Sequence, residues 1–429
     1  MDHNKLYTMF GFYENELKAN ILHYWLKRCE DREYGGFVNC YTNDGKELFS
    51  YDKFTWSQGR FVWMFAKLAD TEAPVFDKEE REKLLSLARQ GAYFLMEHCL
   101  MGEDDWRCVF LMERDGTPKE VEPGAPLDMS IYADCFVIAG VGMYAAASGD
   151  MKAYRFAKRL YDSAVDRVER DEFNTLPYPL DRKYRAHGIP MIFSNVSREL
   201  YRAAERLAPS DAPLLLRNME KYTGDTLTHF VDENNVIHEV ITKDNHFFPQ
   251  ILGQNMNPGH TIEDVWFMLD TVDFTGRTDW EPLIYAIAKK ALENGWDEEF
   301  GGIIHYAGIH GGKPEGDMTG VEKETMVKQL EDWDYKLWWV HTEALYSTLR
   351  LGFRTGDQVF FDWYERIFDY VFRTFPNPDR EIREWIQICD RTGRGEWKVV
   401  GLPVKDPYHI TRNLILIIEL LYRELQRGE

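Results

Sequence analysis

Segments with helical hydrophobic patterning are strung along this chain on connections that alternate between short and long. That alternation constrains the fold more than any other feature. Apolar residues recur at helical spacing near 14–29, 57–69, 77–100, 128–148, 150–170, 189–207, 212–228, 261–272, 280–294, 336–353, 357–374 and 408–426. Connections such as Ser148-Gly149-Asp150, Ala208-Pro209-Ser210-Asp211 and Arg354-Thr355-Gly356 follow the even-numbered segments; the long ones, 30–56, 101–127, 171–188, 229–260, 295–335 and 375–407, precede them. The long loops carry strand-like pieces and turn signals, as in Phe37-Val38-Asn39-Cys40-Tyr41 with Asn43-Asp44-Gly45, or Trp385-Ile386-Gln387-Ile388-Cys389 with Arg391-Thr392-Gly393. Two of them open alike, Glu33-Tyr34-Gly35-Gly36-Phe37 and Glu299-Phe300-Gly301-Gly302-Ile303. Six helix pairs joined in this way predict an all-α (α/α)6 toroid, with 1–429 as one domain and β-hairpin-like long loops gathered above the N-termini of the inner helices. An open helical solenoid would show shorter and more regular repeats.

The formal net charge of −21 would repel a phosphate backbone, and no basic run is present, so no nucleic-acid partner is expected. Every apolar run meets a charge within about 12 residues, so no membrane span is expected either. The start, Met1 to Leu6, lacks the apolar core of a signal peptide. Six scattered cysteines without a C-x-x-C pair suit reduced thiols in a cytoplasm. Thirteen tryptophans suit stacking on sugar rings, although most belong to the core.

Ionisable residues recur at or near the starts of four even-numbered segments, where a toroid would bring them together. Arg60 follows Trp56-Ser57-Gln58-Gly59, and His260 and Glu263 follow Asn257-Pro258-Gly259. His341 and Glu343 follow Lys336-Leu337-Trp338-Trp339-Val340, and His409 and Arg412 follow Pro407-Tyr408. Structural roles compete at each position: an ion pair for Arg60, a helix cap for His260, and packing for His341, which faces away from Glu343. Glu343 lies among apolar residues, where an unpaired carboxylate is costly. Two imidazoles, two carboxylates and two guanidiniums in one pocket make a reasonable acid–base site for a neutral polyol.

At these blocks the sequence resembles the N-acylglucosamine 2-epimerase family, whose mammalian members are also called renin-binding proteins. Asn257-Pro258-Gly259-His260-Thr261-Ile262-Glu263 is the most specific match, and the four blocks run from the first helix pair to the last. The resemblance implies an α/α barrel, catalytic positions at Arg60, His260, Glu263, Glu343, His409 and Arg412, and a homodimer, since relatives commonly pair. The same blocks, with the Pro190-Met191-Ile192-Phe193-Ser194-Asn195 segment, supply Trp56, Gln58, Asn195, Trp338, Trp339 and His341 as candidate substrate contacts.

The implied chemistry is proton removal at C2 of an open-chain sugar and return on the other face, with His260 and His409 as bases. The arginines would stabilise the oxyanion, Glu263 would orient His260, and Glu343 would bind hydroxyls or help ring opening. No metal or cofactor is expected, no ligand cluster for a metal is visible, and no G-x-x-x-x-G-K-[ST] loop calls for a nucleotide. Gly401-Leu402-Pro403-Val404-Lys405-Asp406 departs from the family pattern, whereas 190–195 lacks the histidine of cellobiose and mannose 2-epimerases, which favours an N-acylglucosamine-type substrate. The alternatives are an aldose–ketose isomerase or a mannose/cellobiose-type 2-epimerase, a glycoside hydrolase using Asp104, Asp105 or Asp128, and a non-catalytic sugar- or protein-binding module.

Overall fold

A computed structural model describes residues 2–427. Twelve long helices follow one another as α1 (His3–Asn15), α2 (Thr55–Ala69), α3 (Lys78–His98), α4 (Ile131–Ser148), α5 (Met151–Glu169), α6 (Gly188–Leu207), α7 (Ala212–Asp225), α8 (Pro258–Thr275), α9 (Glu281–Gly295), α10 (Trp338–Thr355), α11 (Gln358–Thr374) and α12 (Tyr408–Arg427). Even-numbered helices form the inner ring and odd-numbered ones the outer ring, with α12 packed on both α1 and α10, so the (α/α)6 barrel closes.

Three of the short connections share one device. Gly149, Gly276 and Gly356 each end an inner helix in the left-handed conformation, at φ of 78°, 78° and 69°. A residue with a Cβ resists that conformation. Asp150 and Asp357 then cap the following outer helices by accepting backbone N–H bonds.

The long loops build a second ring. A short strand just before each of four inner helices pairs antiparallel with a strand from the next long loop: Lys53–Phe54 with Leu111–Met112, Tyr184–Ala186 with Val240–Thr242, Asn255–Met256 with Ala307–Gly308, and Lys336–Leu337 with Ile388–Cys389. A bridge between Ser130 and Thr175 does the same before α4, and Lys405 N–H donates to the Asn39 carbonyl before α12 at 2.8 Å. These ladders satisfy backbone groups that loops over a barrel mouth would otherwise leave unpaired.

Two expectations need correction. The first helix begins at His3 rather than near 14, because Asp2 caps it by accepting from Lys5 N–H; exposed Tyr7 and Phe12 blur its apolar stripe. Ile131–Ser148 is long and apolar enough to cross a membrane by composition, contrary to the sequence reading, but 83% of that stretch is buried inside the ring as α4. Backbone meets backbone where α2 and α4 cross. A Cβ on Gly59 would fall well inside van der Waals contact distance of the Phe136 carbonyl, and one on Gly140 would meet the Gly59 carbonyl in the same way. The six cysteines are buried and unpaired, as expected of reduced thiols.

Candidate active site

The first turns of the inner helices converge under the strand ring on a cavity of 140 Å³, whose walls include Arg60, His260, Glu263, Trp339, His409 and Arg412. Asn257 caps α8 by accepting from His260 N–H at 3.0 Å, and Pro258 occupies the first turn. This sets the His260 imidazole at the helix mouth. Asp406 caps α12 by accepting from Tyr408 N–H at 2.9 Å, which places His409 likewise. Trp339 contacts both imidazoles, its ring centre 5.5 Å from each. Their centres are therefore separated by at most twice that distance.

Each imidazole is held at Nδ1 by its own buried carboxylate. His260 Nδ1 lies 2.8 Å from Glu239 Oε1, and His409 Nδ1 lies 2.7 Å from Glu343 Oε1. Guanidinium groups approach both His409 nitrogens at 3.2 Å, Arg60 at Nε2 and Arg412 at Nδ1. The shorter Glu343 contact assigns the proton to Nδ1 and leaves Nε2 as a lone-pair acceptor. Burial pushes the His409 proton affinity down, which its bond to Glu343 opposes and the neighbouring arginines reinforce. Burial alone would raise Glu343, but Arg412 and then His409 hold its carboxyl at about 2. Arg60 donates to Asp406 and stacks its guanidinium 4.2 Å from the Phe136 ring centre. That arrangement suits a fixed cation on the cavity wall.

A family model described as N-acylglucosamine 2-epimerase matches residues 35–412. The chain belongs to the N-acylglucosamine 2-epimerase family. The mouse N-acylglucosamine 2-epimerase is 29% identical over 97% of this chain and 92% of its own length. A cellobiose 2-epimerase of Ruminococcus albus is 23% identical over 96% and 98%. A solved cellobiose 2-epimerase from Bacillus thermoamylovorans superposes with a TM-score of 0.75 at 18% identity, covering 97% of this chain and 99% of that one, which supports the fold. This family member is a sugar 2-epimerase, an isomerase acting on a small sugar.

Within this family member, the candidate residues divide. Trp56, Trp338 and Trp339 line the cavity with Arg60, His260, Glu263, His409 and Arg412. Gln58 does not: it is fully buried, donating to the Phe37 carbonyl and accepting from Phe37 N–H, a clamp on the first long loop. His341 is also fully buried, accepting from Ile303 N–H at 2.9 Å and lying 2.7 Å from the Leu337 carbonyl, stacked on Tyr370. Asn195 is buried on α6 outside the cavity lining, its Nδ2 without a partner among the described residues.

The carboxylates also differ from expectation. Glu263 pairs with Arg412 rather than orienting His260. The i,i+3 spacing puts the two on neighbouring positions, but the His260 ring turns up toward the loop layer, where Glu239 takes it. Glu343 lies beneath the cavity and holds His409, so it does not present itself to sugar hydroxyls. Ligand atoms of Glu263, Glu343 and His409 lie within 4.8 Å of one another, a cluster hidden in sequence by separations of 80 and 66 residues. An Arg412 nitrogen already sits against both carboxylates, 2.5 Å from Glu343.

Sequence reasoning missed Glu239, Asp264, His187 and Asp406. Asp406 carried a usable signal, an acidic residue before Pro407 at a helix start. Glu239 carried none, because loop pairing, not periodicity, brings it to His260.

Proposed function

We propose that the chain interconverts N-acylglucosamine and N-acylmannosamine by a two-base proton transfer at C2. The observation that carries this reading is the pair of imidazoles that line one cavity beside Trp339, each with Nδ1 fixed by a separate carboxylate. Sequence identity supports the substrate class, at 29% with the mouse enzyme against 23% with the Ruminococcus albus cellobiose 2-epimerase.

In the proposed reaction one histidine enters neutral and the other as imidazolium. The neutral Nε2 removes the C2 proton of the open-chain sugar, and the C–H electron pair moves to C1 as its carbonyl oxygen becomes an oxyanion. Arg60 and Arg412 supply the donors for that charge. The imidazolium opposite returns a proton to the other face of C2, the electrons flow back to restore the carbonyl, and the two histidines exchange protonation states. Positioned acid–base help of this kind is worth about 10²–10⁴-fold.

The test is incubation with N-acetylglucosamine in deuterated water, read by NMR and chromatography. Epimeric product bearing deuterium at C2 is expected, and His260→Asn and His409→Asn should each abolish net epimerisation with the fold intact by circular dichroism. Product without deuterium, or turnover retained in either variant, would remove the mechanism. A ketose product would instead make the chain an aldose–ketose isomerase.

A further inference from the structure

The carboxylates behind the two imidazoles are themselves held differently. Glu343 is clamped by Arg412, a permanent cation. Glu239 faces His187, a cation only while protonated. The strand ring makes that second contact. The ladder of Tyr184–Ala186 with Val240–Thr242 continues one residue further, where His187 N–H donates to the Glu239 carbonyl at 3.0 Å. Glu239 N–H in turn donates to Asn255 at the entry to α8. The side chains then form a buried series in which carboxylates and imidazoles alternate. His187 Nε2 lies 2.8 Å from Asp264 Oδ2, its Nδ1 is 3.8 Å from Glu239 Oε2, and Glu239 Oε1 is 2.8 Å from His260 Nδ1. His187 Nδ1 and Glu239 Oε2 have no hydrogen-bond partner among the described residues and face one another at 3.8 Å.

We infer that His187 is a positioning residue that acts through Glu239 on His260, the titratable counterpart of Arg412 on the His409 side. Nothing in the i,i+3 spacing of the α8 motif calls for such a group, and the inference rests on the two-histidine reading above. Around His187 stand Asp264 of α8, Glu239 of the loop layer and the Phe230 ring, 5.9 Å from its centre. Around Glu239 stand His260, the His305 imidazole, which burial pushes down to about 3 and so keeps neutral, and the phenols Tyr132, Tyr178 and Tyr306, which burial keeps protonated. Burial alone would strip His187 of its proton, but Asp264 and then Glu239 raise it to about 9. It is therefore a cation at neutral pH, and its charge offsets that of Glu239 before this reaches His260. Without it, the full carboxylate charge would favour the His260 imidazolium and withdraw the neutral base.

His187→Gln in the full-length enzyme tests this through the pH dependence of kcat/KM, which reports ionisations of the free enzyme. In the direction in which His260 is the base, the acid limb should move to higher pH by about one unit, an approximately tenfold loss below the limb that recovers on the alkaline side with KM little changed; in the reverse direction, where His260 is the acid, the alkaline limb should move up by the same amount. His187→Lys, which keeps a positive charge, should bring the limb back toward its original position. An unmoved limb, or an equal loss at every pH, would overturn the inference and mark His187 as packing. If His187→Gln does not fold, ¹⁵N NMR titration of the imidazoles in the unsubstituted chain decides. His187 should stay an imidazolium through neutral pH, and a neutral ring at pH 7 would refute it. The same titration remains decisive if the unsubstituted chain shows no epimerisation, so failure of the two readings can be told apart.

Discussion

Replacing Glu343 by glutamine probes the pocket floor with the least change of shape. Four N–H donors converge on this carboxylate: His409 at 2.7 Å, Arg412 at 2.5 Å and Asn413 at 2.6 Å on Oε1, and Trp266 at 2.8 Å on Oε2. Glutamine turns one of these acceptors into a donor, so in either amide orientation an N–H faces an N–H. Losing a hydrogen bond to a charged group costs about 1.5–3 kcal/mol. Breaking a buried ion pair outright costs about 3–5 kcal/mol. Arg412 keeps Glu263 as a counter-ion, so the lower end of that range applies and destabilisation of about 3 kcal/mol is expected. The kinetic effect should be larger in relative terms. Nothing anionic would then hold the His409 proton on Nδ1, and a catalytic imidazole in the wrong tautomer loses up to about 10⁴ in kcat in serine proteases. A fall in kcat of about 10²–10⁴ is expected for Glu343→Gln. Urea unfolding and steady-state epimerisation measure the two effects separately. A variant with kcat within experimental scatter of the unsubstituted chain would refute the claim that Glu343 sets the His409 tautomer.

Further outcomes follow from the same geometry. Arg60→Lys keeps the charge but loses the planar stack on Phe136 and the fork shared between Asp406 and His409, so kcat should fall by about 10–100-fold in the same assay. The raised proton affinity of His187 makes a linkage prediction. A group raised from 6.5 to about 9 contributes stability that is complete below 6.5 and disappears as pH rises through about 9. At 1.36 kcal/mol per unit this amounts to about 3 kcal/mol, visible as a fall in urea-unfolding free energy over that range and absent in His187→Gln. Gly59→Ala should cost about 1–3 kcal/mol by thermal unfolding, because the added methyl meets the α4 backbone, which cannot rotate away.

Much of this was legible without coordinates. The alternation of short and long connections predicted the closed ring of helix pairs because each amphipathic helix must bury one face and a short turn forces antiparallel neighbours. Helix-start chemistry such as Asn257-Pro258-Gly259 put His260 at an inner mouth, and Pro407 did the same for His409, since capping is a local interaction written in adjacent residues. The partners were not legible. Glu239, Asp264 and His187 take their places from strand pairing and helix packing between segments far apart in the chain, and Glu343, a candidate in sequence, showed no sign there of His409 as its partner. Gln58 and His341 carry the right chemistry in the right blocks, yet their side chains face the loop layer and the outer ring. Local sequence decides where a helix begins and which residues stand at its mouth. Which of them faces the cavity, and which charge answers which, depends on helix rotation and loop register, and only the packed molecule determines those.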